Sequence, residues 1–448
     1  MFLRDKHPAD RHAILHNSML ATDGCLSLRL SSVHTRRIVV WGINYAPEKI
    51  GIAPCNVALC EFLARVKFDV TMLTAFSYYP AWKKSKEDAS KIFGSETING
   101  VRVLRCWHYV PERVSPAKRI LHEFSFVICS FFRALCLPKP DLWIVVSPPL
   151  LLALAVRLVC FFRGGRYLLH LQDLQPDAAI HLGMIRSARL IRALRALESA
   201  GYRGASRISV ITSGMRDLLC KRGVAREKLV LFPNGTYPGE PAVEGKFRAA
   251  HSVNRESLLV VYSGNIGVKQ GLHNVVESFR HIGNHAIRLI VCGEGAEKQR
   301  LLEFASDMPN VRFADLLESE EYNKMLADAN LMIVTLAPGS GSSFFPSKLF
   351  SACAAGKAIV AVCDSDSELA HIVEKNSCGV VVAYGDCKKL AATFDDLANA
   401  RDRVESMGRA AKRLSQRFHW NDILEKFVCE ADISEPASFP TRRNRDQI

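Results

Sequence analysis

From residue 37 onward, short β-branched apolar runs alternate with helix-length stretches, and that rhythm restricts the chain to a largely parallel α/β architecture. Arg37–Ile43, Asp69–Thr74, Val101–Cys106, Asp141–Val146, Tyr167–Leu171 and Ser206–Ile211 read as strands, with Asn56–Val66 as a helix between the first two. No tight two-residue hairpin is expected among them, which implies a mostly parallel sheet covered on both faces. Thr236–Ala249 (TYPGEPAVEGKFRA) breaks the rhythm with Pro, Gly and scattered charge, and reads as a linker. The alternation then restarts at Leu258–Tyr262, Ile287–Cys292, Val311–Phe313, Leu331–Leu336, Ala358–Val362 and Gly379–Val382, with helices over Leu272–Arg280 and Glu320–Ala329. Two doubly wound α/β domains result. Ligands of such domains sit at the carboxyl ends of strands, so the cleft between the two is the expected site.

The most apolar stretch, Leu142–Phe162, is long enough to span a bilayer. Pro148, Pro149 and Arg157 interrupt it, so a buried strand, a turn and a buried helix are expected instead. The first 34 residues carry charges without a continuous apolar core and are not a signal peptide; they read as a poorly ordered arm. The 14 cysteines contain no CxxC pair, and several lie inside apolar runs, which points to reduced cytosolic thiols and not to disulfides or zinc. Charge divides the chain. Residues 1–224 hold 32 basic and 16 acidic side chains, whereas residues 225–448 hold 27 and 29. An anionic surface partner for the first half follows. No RNA-binding motif or aromatic-basic interleaving supports nucleic acid.

Three loops of the second half follow strands and lead into helices: Ser263–Gly267 with Lys269 just beyond, Gly293-Glu294-Gly295, and Gly339–Ser343 leading to Pro346-Ser347-Lys348. Glycine allows close backbone approach, and free N–H groups at a helix start attract an anion. Pro346 suits a first helical position. Lysine in a first turn is slightly unfavourable, so Lys348 calls for a reason of its own. Together the loops point to a bound phosphate ester.

The runs Asn44–Pro54 (NYAPEKIGIAP), Ser77–Trp82 (SYYPAW), Leu171–Gly183 (LQDLQPDAAIHLG), Tyr262–Leu272 (YSGNIGVKQGL) and Phe345–Val362 (FPSKLFSACAAGKAIVAV) resemble the family 4 glycosyltransferases, and within them the colanic acid WcaI-like group. The resemblance covers roughly residues 36–430. It implies a GT-B fold of two facing Rossmann-like domains, with acceptor on the first and sugar nucleotide mainly on the second. It also implies retention of anomeric configuration and no obligatory metal or other cofactor. The corresponding boundaries are an arm over 1–35, a first domain over 36–235, a linker over 236–249 and a second domain over 250–415. A C-terminal helix over 416–432 returns to the first domain, and 433–448 form a tail.

By position, the resemblance places Gly51 in the loop that approaches the donor phosphates. It sets Gln172 and Asp173 where relatives carry a His-Asp or His-Glu pair near the reacting sugar, and Lys269 at the diphosphate. Asn265 stands where a partner arginine is usual, and Glu294 borders the nucleotide. Ser343 and Ser351 replace the acidic pair of the E-x7-E motif, leaving Ser347 and Lys348 to take over part of the nucleotide binding.

Plainer readings stand beside these. Asp173 fits a helix cap, Asn44 a turn and His170 a satisfied core histidine; Asp364-Ser365-Asp366 reads as a polar loop, not a metal motif. Glycosyl transfer sends negative charge onto the leaving diphosphate, so cations and N–H donors must be aimed there. Lys269, Lys348 and the Gly264–Gly267 backbone are the candidates. The expected partners are a GDP- or UDP-linked sugar and a polyprenyl-diphosphate-linked oligosaccharide. The expected location is cytoplasmic, peripheral at the inner face of the membrane. Residues 186–197 (RSARLIRALRAL) set Leu190, Ile191, Leu194 and Leu197 on one stripe and Arg186, Arg189, Arg192 and Arg195 around the rest. That stripe and the apolar stretch 124–137 are expected to pack on the first sheet, while the arginines meet anionic lipid. The alternatives are a GT-B sugar-nucleotide epimerase or phosphorylase, and a non-catalytic basic membrane-binding protein.

Overall fold

The computed structural model describes residues 36–113, 115–181, 187–237, 242–339 and 346–433. Its first sheet contains β1 (Arg37–Trp41), β2 (Asp69–Ala75), β3 (Phe93–Ile98), β4 (Val101–Cys106), β5 (Leu142–Ser147), β6 (Tyr167–Leu171), β7 (Arg207–Val210) and β8 (Leu229–Leu231). They lie in the order β3-β4-β2-β1-β5-β6-β7-β8. Strands β1, β5 and β6 are buried along nearly their whole length, which is why they read as unbroken apolar runs. Helices α1 (Ala53–Arg65), α2 (Pro116–Cys136), α3 (Leu152–Arg163), α4 (Gln175–His181), α5 (Ala188–Gly204) and α6 (Ser213–Lys221) connect and cover them.

The second sheet is wholly parallel. It has β9 (Leu258–Ser263), β10 (Ile287–Cys292), β11 (Val311–Ala314), β12 (Leu331–Thr335), β13 (Ala358–Val362) and β14 (Gly379–Val382), in the order β11-β10-β9-β12-β13-β14. Its helices are α7 (Lys246–Ala250), α8 (His273–Ser278), α9 (Lys298–Phe304), α10 (Ser319–Asp328), α11 (Lys348–Ala354), α12 (Glu368–Lys375), α13 (Cys387–Ala398) and α14 (Arg401–Ser415). The last helix, α15 (Trp420–Glu430), joins the core of the first sheet. There Phe427 stacks on Phe232 with centroids 4.0 Å apart, and Trp420 lies under Gly235.

Three sequence expectations need correction. A hairpin does occur: β3 pairs antiparallel with β4 across Asn99 and Gly100, whose φ values of 47° and 80° give a tight left-handed turn. The linker is shorter than expected, because α7 already belongs to the second domain. Arg248 is buried there, its Nε donating to the Asp328 carbonyl and its Nη2 to Asn330 Oδ1. The helix after Pro148-Pro149 is buried on one side only. Leu152, Val156 and Val159 face the core, while Leu158, Phe161 and Phe162 face outward. Among the described residues no helix is long and apolar enough to cross a membrane, and the cysteines are free thiols.

Candidate active site

The loop after β9 and the loop after β10 touch backbone to backbone. Ile266 N donates to the Glu294 carbonyl at 2.8 Å, and Gly264 N donates to that of Cys292 at 2.8 Å. A side chain at Gly293, where φ is 148°, would run into the Gly264 carbonyl. A side chain at Gly264, at φ 132°, would strike the Lys348 ammonium stem. Glycine is required at Gly293 because backbone fills the space a Cβ would take, and it is favoured at Gly264 because the positive φ strains any other residue.

Lys348 begins α11 and turns beneath the first loop. Its ammonium donates to the Tyr262 hydroxyl and lies 3.8 Å from the centre of that ring. Burial pushes its pKa down to about 7. Tyr262 in turn donates to the Asn265 carbonyl, so lysine, tyrosine and glycine loop form one unit. The Asn265 amide is spent within the loop, on Gln270 Oε1 at 3.3 Å. Glu294 is directed to Lys298 at 2.6 Å, at the rim. Ser347 precedes α11 without a side-chain cap bond. Ser351 is half-buried and meets the Tyr322 hydroxyl, whereas Ser343 lies outside the described residues.

Across the cleft, Asp173 follows β6. Its Oδ2 accepts from Lys269 Nζ at 3.2 Å, bringing together one candidate from each domain. Burial raises the Asp173 pKa above the ordinary carboxylate value, while Lys269 and then Arg119 pull it back. Its Oδ1 is buried without a hydrogen-bond partner among the described residues. Gln172 is not with Asp173 in the cleft. Its amide is turned inward, 2.7 Å from His170 Nε2 and 3.0 Å from Asn234 Oδ1. His170 is wholly buried, contacts Ser209 Oγ at 2.9 Å and has its pKa pushed down to about 3 by burial, as a core histidine would. Gly51 adopts φ 71° beside the Tyr79 ring.

Sequence reading misses the supports of this site. Buried Glu48 accepts from Asn44 Nδ2 at 2.7 Å, Tyr78 N at 2.9 Å and Tyr79 N at 3.0 Å, tying the two N-terminal loops together. Glu123 accepts from Gln175 Nε2 at 3.0 Å, two residues beyond Asp173. The available signal is the charged pair Arg119 and Glu123, one turn apart, with Glu123 the single carboxylate of that helix. Asp364 accepts from Gly339 N at 2.7 Å, a loop-holding contact. Arg189, Arg192 and Arg195 are exposed on α5, with Arg195 3.6 Å from Asp177; Arg186 lies outside the described residues.

Two α/β domains, one on a mixed and mostly parallel sheet and one on a wholly parallel sheet, with a lysine- and glycine-lined cleft define an enzyme of the GT-B architecture. Residues 51–235 match the Glycosyl transferase 4-like domain family, and residues 243–414 match the Glycosyl transferases group 1 family. The chain is 30% identical over 351 residues to the colanic acid biosynthesis glycosyl transferase WcaI of Escherichia coli K12, covering 75% of this chain and 86% of that protein. It is 25% identical over 318 residues to the glycosyltransferase WbjE of Pseudomonas aeruginosa, covering 69% and 78%. Among solved structures, sucrose-phosphate synthase from Thermosynechococcus elongatus superposes with a TM-score of 0.70 at 16% identity, over 88% of this chain and 98% of that one. Anabaena HepE in complex with UDP-glucose gives 0.65 at 14%, over 89% and 100%. The chain therefore belongs to the family 4 glycosyltransferases of GT-B fold, close to WcaI.

Proposed function

We propose that the enzyme transfers a glycosyl unit from a GDP- or UDP-linked sugar to a lipid-linked saccharide during surface polysaccharide biosynthesis. The observation that carries this reading is the pairing of Lys269 with Asp173 beside the Lys348–glycine-loop unit. The matches to WcaI and to HepE, the latter solved with UDP-glucose, support it.

In this reading the diphosphate lies over the Gly264–Gly267 backbone, with Lys269 and Lys348 as its cations. The bond between the anomeric carbon and the phosphate oxygen breaks, and its electron pair leaves with the nucleoside diphosphate. The acceptor oxygen bonds to the same face of that carbon, and its proton passes to the leaving phosphate. Configuration is then retained without a catalytic carboxylate. The two lysines supply the charge stabilisation, so no divalent ion is needed. Asp173 Oδ1 is free to accept from a sugar hydroxyl. The acceptor arrives at the inner face of the cytoplasmic membrane, which Arg189, Arg192 and Arg195 approach by charge.

Incubation with UDP- and GDP-sugars and a polyprenyl-diphosphate-linked saccharide, with and without chelator, tests this directly. Mass spectrometry should find acceptor plus one sugar, with an axial or equatorial linkage matching the donor by NMR. Free sugar only, inverted product or loss of activity with chelator would each overturn its part of the reading.

A further inference from the structure

Helices α2, α3 and α5 lie side by side on the first domain, α2 against α3 and α3 against α5. Their outer surface is unexpectedly apolar. Among the described residues, ten of the seventeen exposed large apolar side chains fall on these three helices, so the exposure is concentrated and not scattered. On α2, Ile120, Phe124, Ile128 and Phe132 recur every fourth residue and are exposed, while His122, Phe126 and Ser130 face the core. At the end of α3, Phe161 and Phe162 are 80% and 65% exposed.

The surrounding charge has one sign. The three helices carry Lys118, Arg119 and Arg133, then Arg157 and Arg163, then Arg189, Arg192, Arg195 and Arg203. Their only carboxylates are Glu123 and Glu198, with side chains 20% and 4% exposed. A second copy of this face would meet like charge, whereas an anionic lipid surface complements it. The same α2 carries Arg119, whose charge reaches Asp173, and Glu123, which holds Gln175 two residues beyond it, so the face lies toward the candidate site.

We propose that this face inserts into an anionic bilayer, with Phe124, Phe132, Phe161 and Phe162 below the headgroups and the arginines among the phosphates. The proposal builds on the reading of a membrane-presented acceptor and adds to it a hydrophobic component, beyond attraction by the α5 arginines. Such insertion resists salt, which charge attraction alone does not.

The test uses the full-length protein with vesicles of phosphatidylglycerol and phosphatidylcholine, and with phosphatidylcholine alone. Wild-type protein should sediment with the anionic vesicles, and a substantial fraction should stay bound in 1 M NaCl. Phe161→Glu with Phe162→Glu should lower the bound-to-free ratio at least tenfold. In Phe161→Trp, the emission in excess of the wild type's five native tryptophans should shift to the blue and be quenched by brominated acyl chains; this readout and Phe132→Glu stand in if the double variant unfolds. Complete release by salt, unshifted emission, or a soluble dimer dissociated by the double variant would overturn insertion. Calorimetry with UDP and GDP runs in parallel. Intact nucleotide binding without insertion sinks only this proposal, and insertion without nucleotide binding sinks only the transferase reading.

Discussion

Asp173 and Lys269 meet across the cleft at 3.2 Å, one beyond the carboxyl end of β6 and the other beyond that of β9. The site thus holds a carboxylate near the position proposed for the donor diphosphate. Binding must exchange one anion for another around the same ammonium.

That exchange separates the two residues experimentally. Lys269→Ala removes a charge-assisted contact worth about 1.5–3 kcal/mol, so donor affinity should fall roughly ten- to a hundredfold. Asp173→Asn removes a competing negative charge, so donor affinity should hold or rise while turnover drops about a hundredfold through misplacement of the sugar. Calorimetry and steady-state kinetics on both variants check this. Equal loss of affinity in both would show that Asp173 binds donor instead of orienting it.

Lys348 gives the site a pH dependence with a defined sign. Burial lowers its pKa to about 7 in the free enzyme, and a diphosphate alongside must raise it. The cationic form is therefore present without cost below pH 7, and its contribution to binding is lost as pH rises through the higher bound value. Donor affinity should fall between pH 7 and 9, and binding near pH 8 should take up a proton. Titration in buffers of different ionisation enthalpy measures that uptake. Lys348→Gln should bind more weakly at pH 6.5 and show a flatter profile.

The legible parts of the fold are those whose cause is local. Buried parallel strands such as β9 (LLVVYS) announce themselves because both faces must be apolar. Strand β3 (FGSETI) is an edge with mostly exposed side chains, so it lacks that pattern, and only Asn99-Gly100 marks its turn. Lys348 stands out by its unfavourable position in a first turn, but its partner Tyr262 is 86 residues away and not deducible from spacing. Gln172 and Asp173 are adjacent in sequence yet diverge, one inward and one to the cleft, where the chain bends as it leaves β6, a turn that strand periodicity does not encode. The apolar faces of α2 and α3 are visible as composition. Which of two apolar sides meets the sheet depends on tertiary packing that periodicity does not encode.

A second bridge between the domains offers a stability prediction. Glu368, at the start of α12, accepts from Ser213 N at 3.2 Å and Gly214 N at 3.0 Å at the start of α6. A carboxylate on a helix N-terminus contributes about 0.3–1 kcal/mol, rising to about 2 kcal/mol when partly buried. Glu368→Ala should cost about 1–2 kcal/mol and loosen the domain pair. Thermal unfolding and solution scattering read the two effects. An unchanged radius of gyration beside a lowered Tm would show the contact to be a helix cap without a role in holding the domains.

The closing helix α15 predicts a stability effect in the domain remote from it in sequence. It follows α14 of the second domain, yet its Phe427 is buried against Phe232 of the first, with rings nearly parallel at 7°. Deleting a buried phenylalanine side chain costs about 3–5 kcal/mol. Phe427→Ala should therefore destabilise the β1–β8 sheet, although every strand of that sheet precedes it by more than a domain's length of chain. Phe394→Ala offers the converse, since Phe394 is equally buried in the second core beside Phe279. Hydrogen exchange should show faster exchange across β1, β5 and β6 in Phe427→Ala and across β9, β10 and β12 in Phe394→Ala. If Phe427→Ala instead loosens β9–β14 first, α15 is held by the second domain, and the packing on Phe232 is not what fixes it.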